Sequence, residues 1–147
     1  MRAFLWTLTL LLSLSSAVFA GPKEEALQVL DNWAKAFTAS DVDGIVKLHA
    51  ADALFMGTAS KNVVVKTEGI RTYFENALLN NRPRGAKLAD YSALVISDTV
   101  VAVSGLDQLT GVRDGNPFST TGRVTFVIAK RGTDWQIVQF HRSPVPN

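Results

Sequence analysis

The sequence contains no cysteine. Disulfides, thiolate nucleophiles, cysteine-ligated zinc and iron–sulfur clusters are therefore excluded, and stability has to come from packing. Histidine is almost as scarce. With only His49 and His141, a multi-histidine metal site within one chain is not expected. An excess of one charge is lacking as well: 15 basic and 13 acidic residues give a formal net charge of +2 at pH 7, which calls for neither nucleic acid nor an anionic membrane as a partner. There is no internal repeat and no low-complexity tract, and only one long apolar run.

That run stands at the start. Arg2 supplies a positive charge, Ala3 to Leu14 is apolar, and Ser15-Ser16-Ala17-Val18-Phe19-Ala20 ends in small residues, the pattern of a secretory signal peptide. Spanning a bilayer takes about 20 apolar residues, so the run is short for an anchor, which is the alternative reading. Residues 1–20 are expected to be a signal peptide cut after Ala20, with export to the periplasm or the medium. Residues 21–147 then form one domain of ordinary size.

Within that domain the hydrophobic period changes once. Pro22, followed by Lys23-Glu24-Glu25, suits a helix N-terminus, and Ala26, Leu27, Leu30, Trp33, Ala34 and Phe37 recur at helical spacing to about Ala39. Asp41 is placed to cap a short second helix carrying Ile45, Val46 and Leu48, with His49 at its end as a C-terminal cap, where a cation is favourable, and a short strand at Ala53–Met56. A third helix runs from Thr67 to Leu78. Beyond it the period falls to two, in runs near 88–97, 99–112, 118–130 and 135–143 separated by turn-forming residues. Short connections imply an antiparallel meander, and helices followed by such a sheet define an α+β domain.

Several residues in this frame carry chemical potential. Asp107 is the one acidic side chain inside the apolar strand Val100–Val112, which makes it the candidate general base of any reaction. Trp33 and Tyr73 lie on apolar stripes but carry polar tips that need partners when buried, so they are candidate pocket wall, and Tyr73 is the candidate proton or hydrogen-bond donor beside Asp107. His141 adjoins Arg142 and must face the other side of its strand; a surface or interface role is its default.

The third helix and the last strand resemble a known family. Thr72-Tyr73-Phe74-Glu75-Asn76-Ala77-Leu78 with Asn81-Arg82-Pro83, the Asp114-Gly115 turn, and Asp134-Trp135-Gln136-Ile137-Val138-Gln139-Phe140-His141-Arg142-Ser143-Pro144 resemble the association (hub) domain of calcium/calmodulin-dependent protein kinase II. Phe55-Met56-Gly57-Thr58 and Gly122-Arg123-Val124-Thr125-Phe126-Val127 are similar to its bacterial stand-alone relatives in the nuclear transport factor 2-like and SnoaL-like group. The resemblance implies a cone-shaped, strongly curved antiparallel sheet wrapped around three N-terminal helices, with a pocket inside. It also implies self-association, as a homodimer or a larger ring, with the outer face of the sheet as the dimer surface.

For the site, the resemblance implies that Arg142 points into the cavity and binds a small organic acid or carbonyl compound, with no cofactor. The competing role for Arg142 is an internal salt bridge to Asp107, Glu68 or Glu75. Arg123 stands where the bacterial relatives carry an arginine, facing either the pocket or the outside, and Gln108 aligns with a second cavity arginine of the hub domain. A cavity histidine of the hub aligns with Ile70. Kinase activity is not implied, because the Gly-rich loop, His-Arg-Asp loop and Asp-Phe-Gly site of kinases are all absent. Ketosteroid isomerase-type enzymes also belong to the group, so an isomerase, polyketide cyclase or dehydratase using Asp107 and Tyr73 is the alternative function.

Overall fold

A computed structural model of the chain describes residues 20–79 and 82–146; the expected signal peptide falls almost wholly outside the described residues. The helices are α1 (Pro22–Ala39), α2 (Val42–Lys47) and α3 (Thr67–Leu78), and the strands are β1 (His49–Met56), β2 (Gly85–Ser97), β3 (Val100–Arg113), β4 (Asn116–Arg131) and β5 (Asp134–Pro144). α1 starts on Pro22 with Glu24 and Glu25 in its first turn, and stops where Ser40 turns left-handed at φ 56°. Asp41 caps α2 by accepting from the Gly44 amide at 2.9 Å.

The five strands form one sheet in the order β1-β5-β4-β3-β2. β2 to β5 are an antiparallel meander as expected, but β1 pairs parallel with β5 at one edge, so the sheet is mixed. The long connection through α3 and three strands makes that parallel pairing possible. Register shifts occur in three of the four strand pairs, and such bulges bend and twist a sheet. The helices lie against the concave face, where Val101, Val103, Val124, Phe126, Ile128 and Ile137 are buried.

The core is aromatic. Trp33 contacts the rings of Phe37, Phe74, Phe126 and Phe140, and Phe55 stacks on Phe140 with centroids 5.0 Å apart. Each such pair adds about 0.5–1.5 kcal/mol beyond the area it buries. His49 corrects an expectation here. It opens β1 rather than ending α2, is buried against Phe55 and Phe74, and shares a hydrogen bond of 2.9 Å with the Ile45 carbonyl through Nδ1. Burial lowers its pKa to about 4 despite the Ile45 carbonyl, so it caps the α2 end as a neutral ring, not as a cation.

A pH dependence follows. His49 has a folded pKa below its ordinary 6.5, so its contribution to stability is complete above about pH 6.5 and is lost as pH falls toward about 4. The full loss is about 3 kcal/mol, and urea melts between pH 7 and pH 4 measure it. His49→Gln should be less stable at pH 7 yet lose clearly less on acidification; an unchanged pH slope in that variant would refute the assignment.

Candidate functional site

Along the concave face of β3 the inward residues run Val101, Val103, Gly105, Asp107, Leu109, Gly111 and Arg113, because side chains alternate. On β4 the inward set is Phe118, Thr120, Gly122, Val124, Phe126 and Ile128, each paired with its β3 counterpart. β5 contributes Phe140 and Arg142. The apolar end of this face is packed shut by the helices. The other end holds a partly enclosed cavity of about 430 Å³ between α1, α3, the loop after β1, and β3 to β5. A wider depression of about 700 Å³ between α1, α2 and the β4–β5 turn is more open and contains no buried polar group, so the enclosed hollow is the candidate site.

Arg142 is 8% exposed and forms part of the cavity wall. Its guanidinium reaches across β4 to Asp107 on β3: Nε lies 2.7 and 3.0 Å from the two carboxylate oxygens, and Nη2 lies 2.8 Å from Oδ1. Between them stands Gly122, which pairs with Asp107. A Cβ there would collide with the guanidinium, so glycine is what lets the arginine lie flat on the strand. Nη1 donates to Thr58 Oγ1 at 2.8 Å, from the loop that follows Gly57. A guanidinium has five N–H groups, and three are engaged by these partners. Two remain for an acceptor inside the cavity.

Tyr73 joins the same wall from α3, its ring resting on Gly57 and packing against Phe55 at 4.8 Å. Burial pushes its pKa up, against the opposing pull of the Ala59 amide, the Arg142 charge and the Thr58 amide. The phenol thus stays protonated at neutral pH and is a hydrogen-bond donor. Trp33 also lines the hollow, with its Nε1 buried and unpaired among the described residues.

Three of the residues singled out in the sequence therefore meet at one cavity: Arg142, Tyr73 and Trp33. Asp107 is next to them but not in the cavity wall, and both its oxygens are taken by Arg142. As the expected general base it has no path to a substrate except through the ion pair. Arg123 and Gln108 are corrections. Each follows an inward residue by one place and so stands on the convex face, exposed, with Gln108 donating to Ser119 Oγ at 3.2 Å. Neither touches the cavity. His141 is exposed on the same convex side. Sequence reasoning missed Arg84 and Arg113, which line the cavity near its solvent end.

Among the described residues there is no group of three or more histidine, aspartate or glutamate side chains arranged to hold a metal. No helix among them is long and apolar enough to cross a membrane.

The SnoaL-like domain profile matches residues 26–147. The structure is similar to a protein from Xanthomonas campestris named for the calcium/calmodulin dependent protein kinase II association domain, with a TM-score of 0.79, 23% identity, and 90% of this chain and 94% of that one covered. It is also similar to a nuclear transport factor 2-like superfamily protein from Salmonella enterica, with a TM-score of 0.76, 21% identity, and coverage of 86% and 92%. A ketosteroid isomerase-like protein from Erwinia carotovora aligns with a TM-score of 0.74, 14% identity, and coverage of 88% and 100%. At these identities the likeness establishes the fold alone. No curated protein matches the chain.

The ion pair can be tested by a double-mutant cycle. Asp107→Leu and Arg142→Met should each cost about 3–5 kcal/mol in urea unfolding, since each strands a buried charge. The double variant should cost much less than the sum. Additive losses would show that the two side chains do not depend on each other.

Proposed function

We propose, because the chain belongs to the SnoaL-like domain family, that it is an exported, self-associating domain whose cavity binds a small ligand bearing a carbonyl or carboxylate oxygen, without kinase activity. One observation carries the reading. A buried guanidinium forms part of the cavity wall with two N–H groups left over, next to a protonated phenol, so a single ligand oxygen can satisfy donors that otherwise depend on water.

The alternative is an isomerase, cyclase or dehydratase of the ketosteroid isomerase type. Tyr73 favours it, because a phenol and a guanidinium converging on a carbonyl oxygen form an oxyanion-stabilising pair. A base is the missing part. The described cavity wall contains no carboxylate and no imidazole, and Asp107 is held by Arg142. Proton abstraction next to a carbonyl needs a base within reach of the substrate, so binding is the better-supported reading.

Self-association is supported by the convex face. Leu94 on β2, 65% exposed, stands in register with Ala102 on β3 and Val127 on β4, giving an apolar row on the side away from the helices. A second copy burying that row is the proposed occupant. Export is supported by the signal-like residues 1–20.

Two experiments test these readings. In thermal-shift assays, a panel of small keto acids, aryl carboxylates and ketones should raise the melting temperature of the wild type by several degrees. Ala77→Trp, which fills the cavity from α3, should abolish the shift. Equal responses in both proteins would remove the cavity from the argument. The second experiment uses chain recovered from the periplasm or medium, which should begin at Gly21 by intact mass and sediment as a dimer or larger. Leu94→Lys should shift it toward monomer, and a wild type that is monomeric at micromolar concentration would end the self-association proposal.

A further inference from the structure

The charge inside the cavity is unevenly balanced. Arg142, at its inner end, is matched by Asp107, so that end is close to neutral. At the solvent end stand Arg84, just before β2, and Arg113, the last residue of β3, both in the cavity wall. Neither forms a salt bridge among the described residues, whereas Arg71, Lys130, Arg131 and Arg142 all do. The buried Nε of Arg84 has no hydrogen-bond partner among them either. Burial, and after it the neighbouring charge of Arg113, push the Arg84 pKa down.

The arrangement is built, not a loose surface cluster. Gly111 pairs with Phe118, and a Cβ at Gly111 would press on the Phe118 ring and meet the Arg84 stem. The bare glycine thus gives the ring and the stem room on the strand. Arg113 stands over the same ring, its guanidinium carbon 5.1 Å from the centroid. Phe118 is therefore an aromatic platform beneath the Arg113 guanidinium, with the Arg84 stem beside it at Gly111, and the same cavity wall carries Leu109, Phe37, Phe140 and Trp33.

We infer that the cavity takes an amphipathic monocarboxylate lying lengthwise, with its carboxylate between Arg84 and Arg113 at the solvent end, its aryl or alkyl body on Phe118 and Leu109, and any second oxygen toward Arg142. The inference rests on the cavity-binding reading above and reverses its polarity. The anion belongs at the unpaired arginines, and the already neutralised Arg142 takes a carbonyl, hydroxyl or water. A neutral ligand would leave two like charges facing each other, whereas a carboxylate relieves their repulsion and gains forked, charge-assisted hydrogen bonds.

The test compares 3-phenylpropionate with 3-phenylpropanamide, which share shape and differ in charge, by calorimetric titration of the full domain. Wild type should bind the carboxylate about tenfold more tightly than the amide, the effect of one charge-assisted contact. Arg84→Gln/Arg113→Gln should keep a cooperative thermal melt, which shows that it is folded, while the advantage of the carboxylate over the amide falls to about twofold or less. An advantage that survives in the double variant, or an amide that binds wild type as tightly as the acid, overturns the inference and leaves the cavity reading standing. If neither compound binds wild type and Ala77→Trp behaves identically, the cavity reading itself fails and the inference goes with it.

Discussion

Taking a guanidinium out of water costs several kcal/mol, and that cost is recovered only where its donors meet acceptors in good geometry. In this fold the requirement falls on Arg142 and is met from three separate places: Asp107 on β3, Thr58 in the loop after β1, and the vacancy above Gly122 on β4. The contact ties the end of the chain to the middle of the sheet and to the loop preceding α3. It also fixes the floor of the cavity, because Arg142 cannot swing without stranding the Asp107 carboxylate. A rigid floor with two spare N–H groups is preorganised for an acceptor, which lowers the ordering cost of binding.

The same contact explains why the chemistry of the site differs from what a solitary acid in an apolar strand suggests. Asp107 in isolation has the look of a base. Paired on both oxygens, it becomes the counterion that lets a cation sit in the wall at all. Fold relatives span an association domain, a nuclear transport factor 2-like protein and an isomerase-like protein, so architecture by itself selects no function. The side chains in the wall have to decide, and among the described residues they comprise donors, aromatics and cations without a carboxylate.

Most of the architecture was legible from periodicity. The bounds of α1 and α3 follow from Pro22, the helical stripe and the punctuation near Pro83, and all four meander strands fall within a few residues of their alternating runs. The parallel docking of β1 on β5 was not, since eight residues of mixed polarity do not announce which edge they join. The directions of Arg123 and Gln108 were readable and were missed. Val124, Phe126 and Ile128 put even positions of β4 inside, and Val101 and Val103 put odd positions of β3 inside; Arg123 and Gln108 break phase with both. The family's arginine position leaves both faces open for Arg123, and the period of two selects the outer one. His49 was misread for a related reason: a histidine after a helix suggests a cation, and only tertiary burial under Phe55 and Phe74 removes its charge.

Arg113 shows where such phase arguments could have gone further. It continues the inward series of Asp107, Leu109 and Gly111, yet its place beside Asp114-Gly115 gives it the look of turn residue. Gly111 and Gly122 were silent for a physical reason, since the absence of a side chain has meaning only once the neighbour that occupies the space is known. Both glycines sit opposite residues that reach across them, one admitting Phe118 and the Arg84 stem, the other the Arg142 guanidinium. Two missing side chains on adjacent strands thus make room for the charged groups of the cavity. Because one of those groups is neutralised and the others are not, the hollow carries a direction: near-neutral and hydrogen-bonding at its floor, apolar in between, cationic where it meets solvent.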